Sequence, residues 1–302
     1  MTSWLRGVIP AVVTPFDNRG RIDEKALRAE IEFHVASGVT ALCAGGTTGE
    51  GAGLSPKDVN ELNRIFVDQA RGRVPVIGGI IPDTTDEAVQ LGLAAREAGV
   101  VALQVSPPHY IFQPDVTGLV SYYSQIREKT GLDIILYNVL PWGQVRPEGV
   151  EALIKAGAIA AIKQSGCDMH QLADMVYRFG KRVPVLSAID DLLYPSFVLG
   201  AHGTLSAICS ILPKQCVELY EAVQRGDHRR ALELHNQLLV VWRAVEEDPS
   251  GFFGRIKYAI EIQGRSAGVP RHPHRAARED ERTLIRKAFE EAGIPIPAIA
   301  RL

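Results

Sequence analysis

Short apolar runs and longer amphipathic stretches alternate eight times within roughly the first 225 residues of the chain. The apolar runs lie at 7–13, 40–44, 74–79, 100–105, 133–137, 158–164, 183–187 and 203–207. Each is short and bounded by turn residues, which suits a strand covered on both faces. The stretches 23–37, 57–70, 84–98, 116–129, 147–156, 169–179, 192–199 and 213–224 carry helical spacing. Asp23 reads as the N-cap of the first helix, and Ser55, Pro56 and Asp58 give a capping signature ahead of the second. Strands alternating with helices pair in parallel through right-handed crossovers. Eight such units predict an α/β fold of the closed (β/α)8, or TIM-barrel, type. An open doubly wound sheet is the alternative, but no Gly-x-Gly-x-x-Gly opens a helix after the first strand. After Arg225-Gly226 the alternation stops. Helical patterns follow at 227–247, 252–263 and 279–292, with a Gly/Pro/Arg/His-rich loop at 264–275 and an extended tail at 293–302. The expected organisation is a catalytic barrel over 1–225 and a helical appendage over 226–302.

Composition narrows the function. A net charge of -2 with 23% charged residues gives no electrostatic case for nucleic acid or an anionic membrane. A hydrophobic content of 46% supports a sizeable core. Residues 1–6 lack a basic segment followed by a long apolar one, so no signal peptide is expected, and no apolar run reaches membrane-spanning length. The four cysteines, Cys43, Cys167, Cys209 and Cys216, have no CxxC spacing and fit a reducing, cytoplasmic setting. Cys167 reads either as a small filler or as a reactive thiol near the key lysine.

That lysine is Lys163, at the end of the run Ala158-Ile159-Ala160-Ala161-Ile162. Lysine is almost never fully buried without a reason. With a pKa near 10.4, only about 0.04% of an ordinary ammonium is neutral amine at pH 7. Apolar surroundings disfavour the charged form and free the amine as a nucleophile, which makes Lys163 a candidate for Schiff-base chemistry. The alternative is a side chain snorkelling to solvent. In a parallel barrel, active sites gather at the carboxyl ends of the strands. After the second strand comes Gly45-Gly46-Thr47-Thr48-Gly49-Glu50-Gly51, whose glycines and hydroxyls suit a small carboxylate, or simply a flexible loop. After the fifth comes Tyr137-Asn138-Val139. Alone, Tyr137 could be a core aromatic; beside a nucleophilic lysine it becomes a candidate acid–base.

Gly46–Glu50, Tyr137-Asn138-Val139 and Ile162-Lys163 occur in an order and spacing that resemble the dihydrodipicolinate synthase/N-acetylneuraminate lyase family of class I aldolases. The resemblance extends to Pro10, Thr14-Pro15-Phe16, the approach Leu199-Gly200-Ala201-His202-Gly203 and the C-terminal helices. It implies a barrel with a helical C-terminal domain, commonly a homotetramer built as a dimer of dimers. It also implies a lysine Schiff base with pyruvate or another 2-oxo acid, an aldehyde partner, and no cofactor or metal. Lys163 would be the Schiff-base lysine, Tyr137 the proton-shuttling tyrosine and Thr47 the hydroxyl of the proton relay. Tyr110 would be a second relay tyrosine, often lent across a dimer interface. Thr48, with Gly46 beside it, would hold the pyruvate carboxylate, and Leu205 would contact the keto acid through its backbone.

One departure bears on the substrate. The synthase subfamily carries an arginine shortly after the tyrosine motif, where it clamps the carboxylate of aspartate semialdehyde. Trp142 stands there in this chain, and Arg146 is at the wrong offset. An indole cannot replace a guanidinium in bidentate carboxylate binding. Trp142 either walls the substrate or packs against the next helix. The favoured expectation is therefore an aldolase or dehydratase acting on a 2-keto-3-deoxy sugar acid or a related compound. The alternatives are the synthase itself and a non-catalytic barrel that binds a keto acid. Asp190-Asp191 reads either as a metal-binding pair or, as expected here, as the cap of the short helix that follows it. His272-Pro273-His274 is a weak metal pair, without the three ligands that a catalytic metal needs.

Overall fold

A computed structural model describes residues 4–166 and 168–297. Cys167 and the end of the tail lie outside the described residues. The strands are β1 (Gly7–Pro10), β2 (Leu42–Ala44), β3 (Val76–Ile80), β4 (Ala102–Val105), β5 (Asp133–Asn138), β6 (Ala161–Gln164), β7 (Val185–Ser187) and β8 (Gly203–Ser206). The helices between them are α1 (Glu24–Ala36), α2 (Pro56–Ala70), α3 (Thr85–Glu97), α4 (Val116–Thr130), α5 (Pro147–Lys155), α6 (Met169–Phe179) and α7 (Leu193–Val198). All strand pairing is parallel, in the order β1-β8-β7-β6-β5-β4-β3-β2. The Ala11↔Cys43 bridge, with Val12 N donating to Cys43 O at 3.0 Å, closes β1 onto β2. The eightfold alternation thus yields the expected (β/α)8 barrel.

Seven of the eight strands are shorter than the apolar runs that announce them, and β5 is one residue longer. Ala158 and Ile159 are buried although the β6 ladder begins only at Ala161. Burial beneath the helices extends beyond the hydrogen-bonded ladder, so hydrophobicity overstates strand length. The helix starts are set by local chemistry. Ser55 Oγ accepts from Asp58 N, and Asp58 Oδ2 accepts from Ser55 N, closing a capping box on α2. Asp23 Oδ1 accepts from Ala26 N at 3.0 Å and opens α1.

Alternate residues of each strand face the barrel interior. Ile9, Ala41, Ile77, Ala102, Ile135, Ala161 and Leu186 pack there as one apolar cluster. The residue two further on along a strand faces the same way, one layer nearer the carboxyl ends. Following the register around the sheet, the even-numbered strands contribute Cys43, Gln104, Lys163 and Leu205 to a single layer. Tyr137 lies beside Lys163 in the β5–β6 register.

Beyond β8 the chain forms α8 (Ile208–Ile211), α9 (Pro213–Gln224), α10 (His228–Glu246), α11 (Phe252–Glu261) and α12 (Glu279–Glu291). The one-turn α8 escapes sequence reading because four apolar residues cannot display a helical period. Helix α10 packs on α9 and α12, and α11 packs on α8 and α12. Their junction is polar at its centre. Arg255, buried on α11, pairs with Glu281 of α12 at 3.2 Å and donates to Val245 O at 2.7 Å. Arg275 pairs with the same carboxylate at 2.7 Å and holds it down to about pKa 2.

Removing the acid leaves Arg255 buried without its partner, which costs about 3–5 kcal/mol for a pair of this kind. Glu281→Ala should therefore shift the urea midpoint at pH 7 well below wild type. A carboxylate held low in the folded state stabilises above its unfolded pKa, and that contribution fades as pH falls. The gap between wild type and Glu281→Gln should narrow as pH drops from about 4.5 towards about 2.

Candidate active site

Lys163 is 3% exposed, at the centre of the barrel mouth. Its Nζ lies 3.8 Å from the centroid of the Tyr137 ring and donates to Gln104 Oε1 at 3.0 Å. The side chain does not snorkel to solvent. Tyr137 is buried, with its hydroxyl 3.2 Å from Thr47 Oγ1. Lysine, tyrosine and threonine arrive from β6, β5 and the turn after β2, and the barrel brings them into one chain of contacts.

The turn after β2 is shaped by close backbone approach. Thr47–Gly49 forms a 3₁₀ turn in which Gly46 O accepts from Gly49 N and Gly51 N, both at 3.0 Å. A Cβ on Gly79 of β3 would lie 2.5 Å from Gly46 N, so only glycine lets the turn settle there. Thr48 is buried and Thr47 faces outward to the tyrosine. Glu50 ends the turn with φ 59, in the left-handed region, and its carboxylate is buried. Lys257 of α11 meets it at 2.7 Å, and also donates to Thr14 O at 2.8 Å and Val269 O at 2.7 Å. Burial pulls the Lys257 ammonium down, and Glu50 opposes that pull. Arg271 N donates to the other Glu50 oxygen at 2.8 Å, and its guanidinium reaches Asp58 on α2. A buried ion pair from the C-terminal helices therefore pins the glycine-rich turn.

The loop after β5 is clamped by Asn138. Its side chain accepts from Val145 N at 2.8 Å and donates to Val145 O at 3.2 Å and Gln164 Oε1 at 2.9 Å. Gln164 Nε2 donates to Gln144 Oε1 at 2.8 Å. Trp142, at the tip of this loop, is 65% exposed and is not packed into a helix. Arg146 precedes Pro147 at the start of α5 and is exposed; it lines a surface groove with His170 and Asp174. Leu205 is buried among the inner apolar residues, with its backbone in register with Ile9.

Tyr110 stands apart. It is 75% exposed at the tip of the loop after β4, and within one chain it does not join Tyr137 and Thr47. Asp83 Oδ1 accepts from the backbone N–H groups of His109 and Tyr110, at 2.7 and 2.9 Å. Ile111 is held at φ 58, rare for a β-branched residue.

One expectation needs correction, and one group was missed. Asp190 does not cap α7, which has no side-chain cap. It reaches across to accept from Ile208 N at 2.7 Å, where α8 begins. The residue keeps some exposure, but protein crowds the carboxyl and pushes it up to about 7, against the Ile208 N–H and the charge of Lys163. Among the described residues no group of three or more His, Cys, Asp and Glu side chains is set to hold a metal ion, and His274 packs edge-on against Phe253 at 4.5 Å. The missed group is Gln104, whose strand position marks it as inward-facing but whose residue type carries no site signature. Cys43, in the same layer, is an inert thiol: burial raises it to about 12. Cys209 and Cys216 are buried and free.

The sequence pattern of the dihydrodipicolinate synthetase family matches residues 4–292. The chain belongs to this family. A 4-hydroxy-tetrahydrodipicolinate synthase from Methanopyrus kandleri is 34% identical over 298 residues, covering 96% of this chain and 97% of that protein. The crystal structure of dihydrodipicolinate synthase from Aquifex aeolicus superposes with a TM-score of 0.88 at 30% identity, covering 96% of this chain and 99% of the other. An E. coli prophage protein of the family, solved in complex with pyruvate, gives a TM-score of 0.90 at 27% identity, over 96% and 99% of the two chains. Members of the family are class I aldolases and lyases, and this chain is an enzyme of that class. The reading as a non-catalytic binder is thereby retired. No helix among the described residues is long and apolar enough to cross a membrane.

The Glu50–Lys257 pair is open to a direct check. Lys257→Met leaves a carboxylate buried without its cation, so unfolding in urea should show a loss of about 3–5 kcal/mol. Pairing it with Glu50→Gln removes the stranded charge. The double variant should be more stable than Lys257→Met alone, giving a coupling energy that a double-mutant cycle reads out.

Proposed function

We propose that the enzyme forms a Schiff base between Lys163 and pyruvate or another 2-oxo acid. We propose further that its full substrate is a 2-keto-3-deoxy sugar acid or a related compound, cleaved or dehydrated beside the iminium. The observation that carries the first part is the contact chain from the Lys163 amine across the Tyr137 ring to the Thr47 hydroxyl. An iminium withdraws electrons from the adjacent carbon, so a proton or a carbon–carbon bond there can be released. Tyr137 moves those protons in this proposal, and its contact with the Thr47 hydroxyl supports the role. The turn at Gly46, Thr47 and Thr48 supplies N–H and hydroxyl groups for the substrate carboxylate, and the Leu205 backbone borders the keto acid from β8. Tyr110, exposed on one chain, would complete the relay of a neighbouring subunit in a homotetramer, a dimer of dimers.

The second part rests on the rim. The loop after β5 presents Trp142, and Arg146 turns to a surface groove. A flat, apolar side chain suits a bulkier or less charged partner than aspartate semialdehyde. The competing reading is 4-hydroxy-tetrahydrodipicolinate synthase, favoured by the names of relatives that match this chain over nearly its whole length.

Borohydride added with pyruvate should trap an adduct on the peptide that contains Lys163, and Lys163→Ala should abolish turnover with the fold intact. Tyr137→Phe keeps the ring and removes the hydroxyl, so turnover should fall by roughly 10²–10⁴-fold, the usual share of a general acid–base. Labelling of another residue, or full activity in Tyr137→Phe, would overturn these roles.

The substrate assignment turns on a comparison of kcat/KM. A charge-assisted contact to a carboxylate contributes about 1.5–3 kcal/mol, or roughly 10- to 150-fold. Trp142→Arg should raise kcat/KM for pyruvate plus aspartate semialdehyde within that range and lower it for a sugar-acid substrate. Efficient use of the semialdehyde by the wild type would establish the synthase reading instead.

A further inference from the structure

Gln104 is a buried polar residue in the layer that holds Lys163. It has no solvent exposure and shares its layer with Lys163, Cys43 and Leu205. Its Oε1 is 3.0 Å from Lys163 Nζ and 3.7 Å from Cys43 Sγ. Both neighbours bring hydrogens to that oxygen, so the amide is fixed with Oε1 between them and Nε2 on the far side. Turned over, Oε1 would lose both of these donors. In the observed orientation Nε2 is buried and has no hydrogen-bond partner among the described residues. It lies against the turn after β2, where a Cβ on Gly46 would come within 3.3 Å of it. A free amide donor thus lies on the side of this layer next to the turn that carries Thr47 and Thr48. An unpaired donor at such a place costs stability, and an acceptor on a bound substrate is one group that can pair with it.

We propose that Gln104 is a further catalytic residue: its Oε1 aims the Lys163 amine, and its Nε2–H donates to the carbonyl oxygen of the bound 2-oxo acid. The proposal rests on the Schiff-base reading above. With one amine hydrogen committed to Oε1, the Nζ lone pair points away from Gln104. It attacks the keto carbon, and the N–C bond forms as the C=O π pair moves onto oxygen. Nε2–H stabilises the negative charge growing there and keeps its own hydrogen. Nitrogen gives up one proton and oxygen gains one through Tyr137, leaving a carbinolamine. A second proton, drawn from solvent through the exposed Thr47 hydroxyl and Tyr137, reaches the oxygen, the C–O bond breaks with its electron pair to release water, and the nitrogen lone pair forms the iminium. Gln104 therefore acts at Schiff-base formation, before any carbon–carbon chemistry.

The test follows adduct formation in time. Enzyme is mixed with pyruvate, quenched with borohydride at intervals, and the modified fraction is read by mass. Removal of one pre-organised donor to an oxyanion typically costs 10²–10³-fold, so Gln104→Met should form the adduct about 10²-fold more slowly than wild type. Gln104→Glu keeps an acceptor for Lys163 but offers a donor only when its carboxyl is protonated. The ratio of its trapping rate to that of wild type should rise as pH falls, a response that a packing role would not produce. Trapping by Gln104→Met at the wild-type rate, or a ratio flat with pH, would overturn the proposal. If Gln104→Met does not fold, the Gln104→Glu ratio decides alone. Failure of wild type to trap pyruvate would instead overturn the Schiff-base reading, so the two failures are distinct.

Discussion

A closed parallel barrel of eight strands leaves room inside for only a few side chains per layer, and nearly all of them must be apolar. Placing an amine in such a layer is the constraint on which the rest of this site depends. Lys163 cannot be left without a hydrogen-bond partner, and its layer supplies Gln104 from β4. The layers beneath are filled by Ile77, Ile135, Ala161 and Leu186, which bar water from below. The amine is therefore open only towards the carboxyl ends of the strands, where Tyr137 and Thr47 meet. Strand register decides this geometry. A slip of one residue would turn Lys163 out to the helices.

The second constraint is the turn after β2. Glycines let it approach β3 closely, but the same glycines give it no stiffness of its own. Stiffness comes from outside the barrel, through Lys257 on α11 and the backbone of Arg271, both bonded to Glu50. This explains why the C-terminal helices accompany the barrel. They bury their own core and also reach the mouth, where one buried cation holds the turn that carries Thr47 and Thr48. Burying an ion pair is costly, and here the two extra bonds from Lys257 to carbonyl oxygens offset the desolvation.

The rim differs in kind from the mouth. Tyr110 and Trp142 are exposed at the tips of loops that are held at their bases, by Asp83 for the one and by Asn138 and Gln164 for the other. Loops of this sort can change without disturbing the barrel. In the proposed function, the Schiff-base chemistry belongs to the strand ends and the choice of second substrate to the rim, where this chain carries the indole of Trp142.

The sequence by itself determined what is local. The alternation announced the barrel, Ser55 and Asp23 announced helix starts, and Lys163 stood out because a lysine ends a run of small apolar residues. Tyr137 and Gly46–Glu50 gained meaning through their places at strand ends. What only the tertiary structure decided is which distant groups meet. Gln104 lies 59 residues from Lys163, and nothing in its neighbours marks it as a partner. Lys257 reads as an ordinary helical lysine until the fold buries it against Glu50. Asp190 reads as a cap for the helix that follows, but the chain turns it towards Ile208. Capping and periodicity act within a few residues and leave a trace in sequence. Satisfaction of buried polar groups acts across strands and helices, and appears only once the barrel has closed.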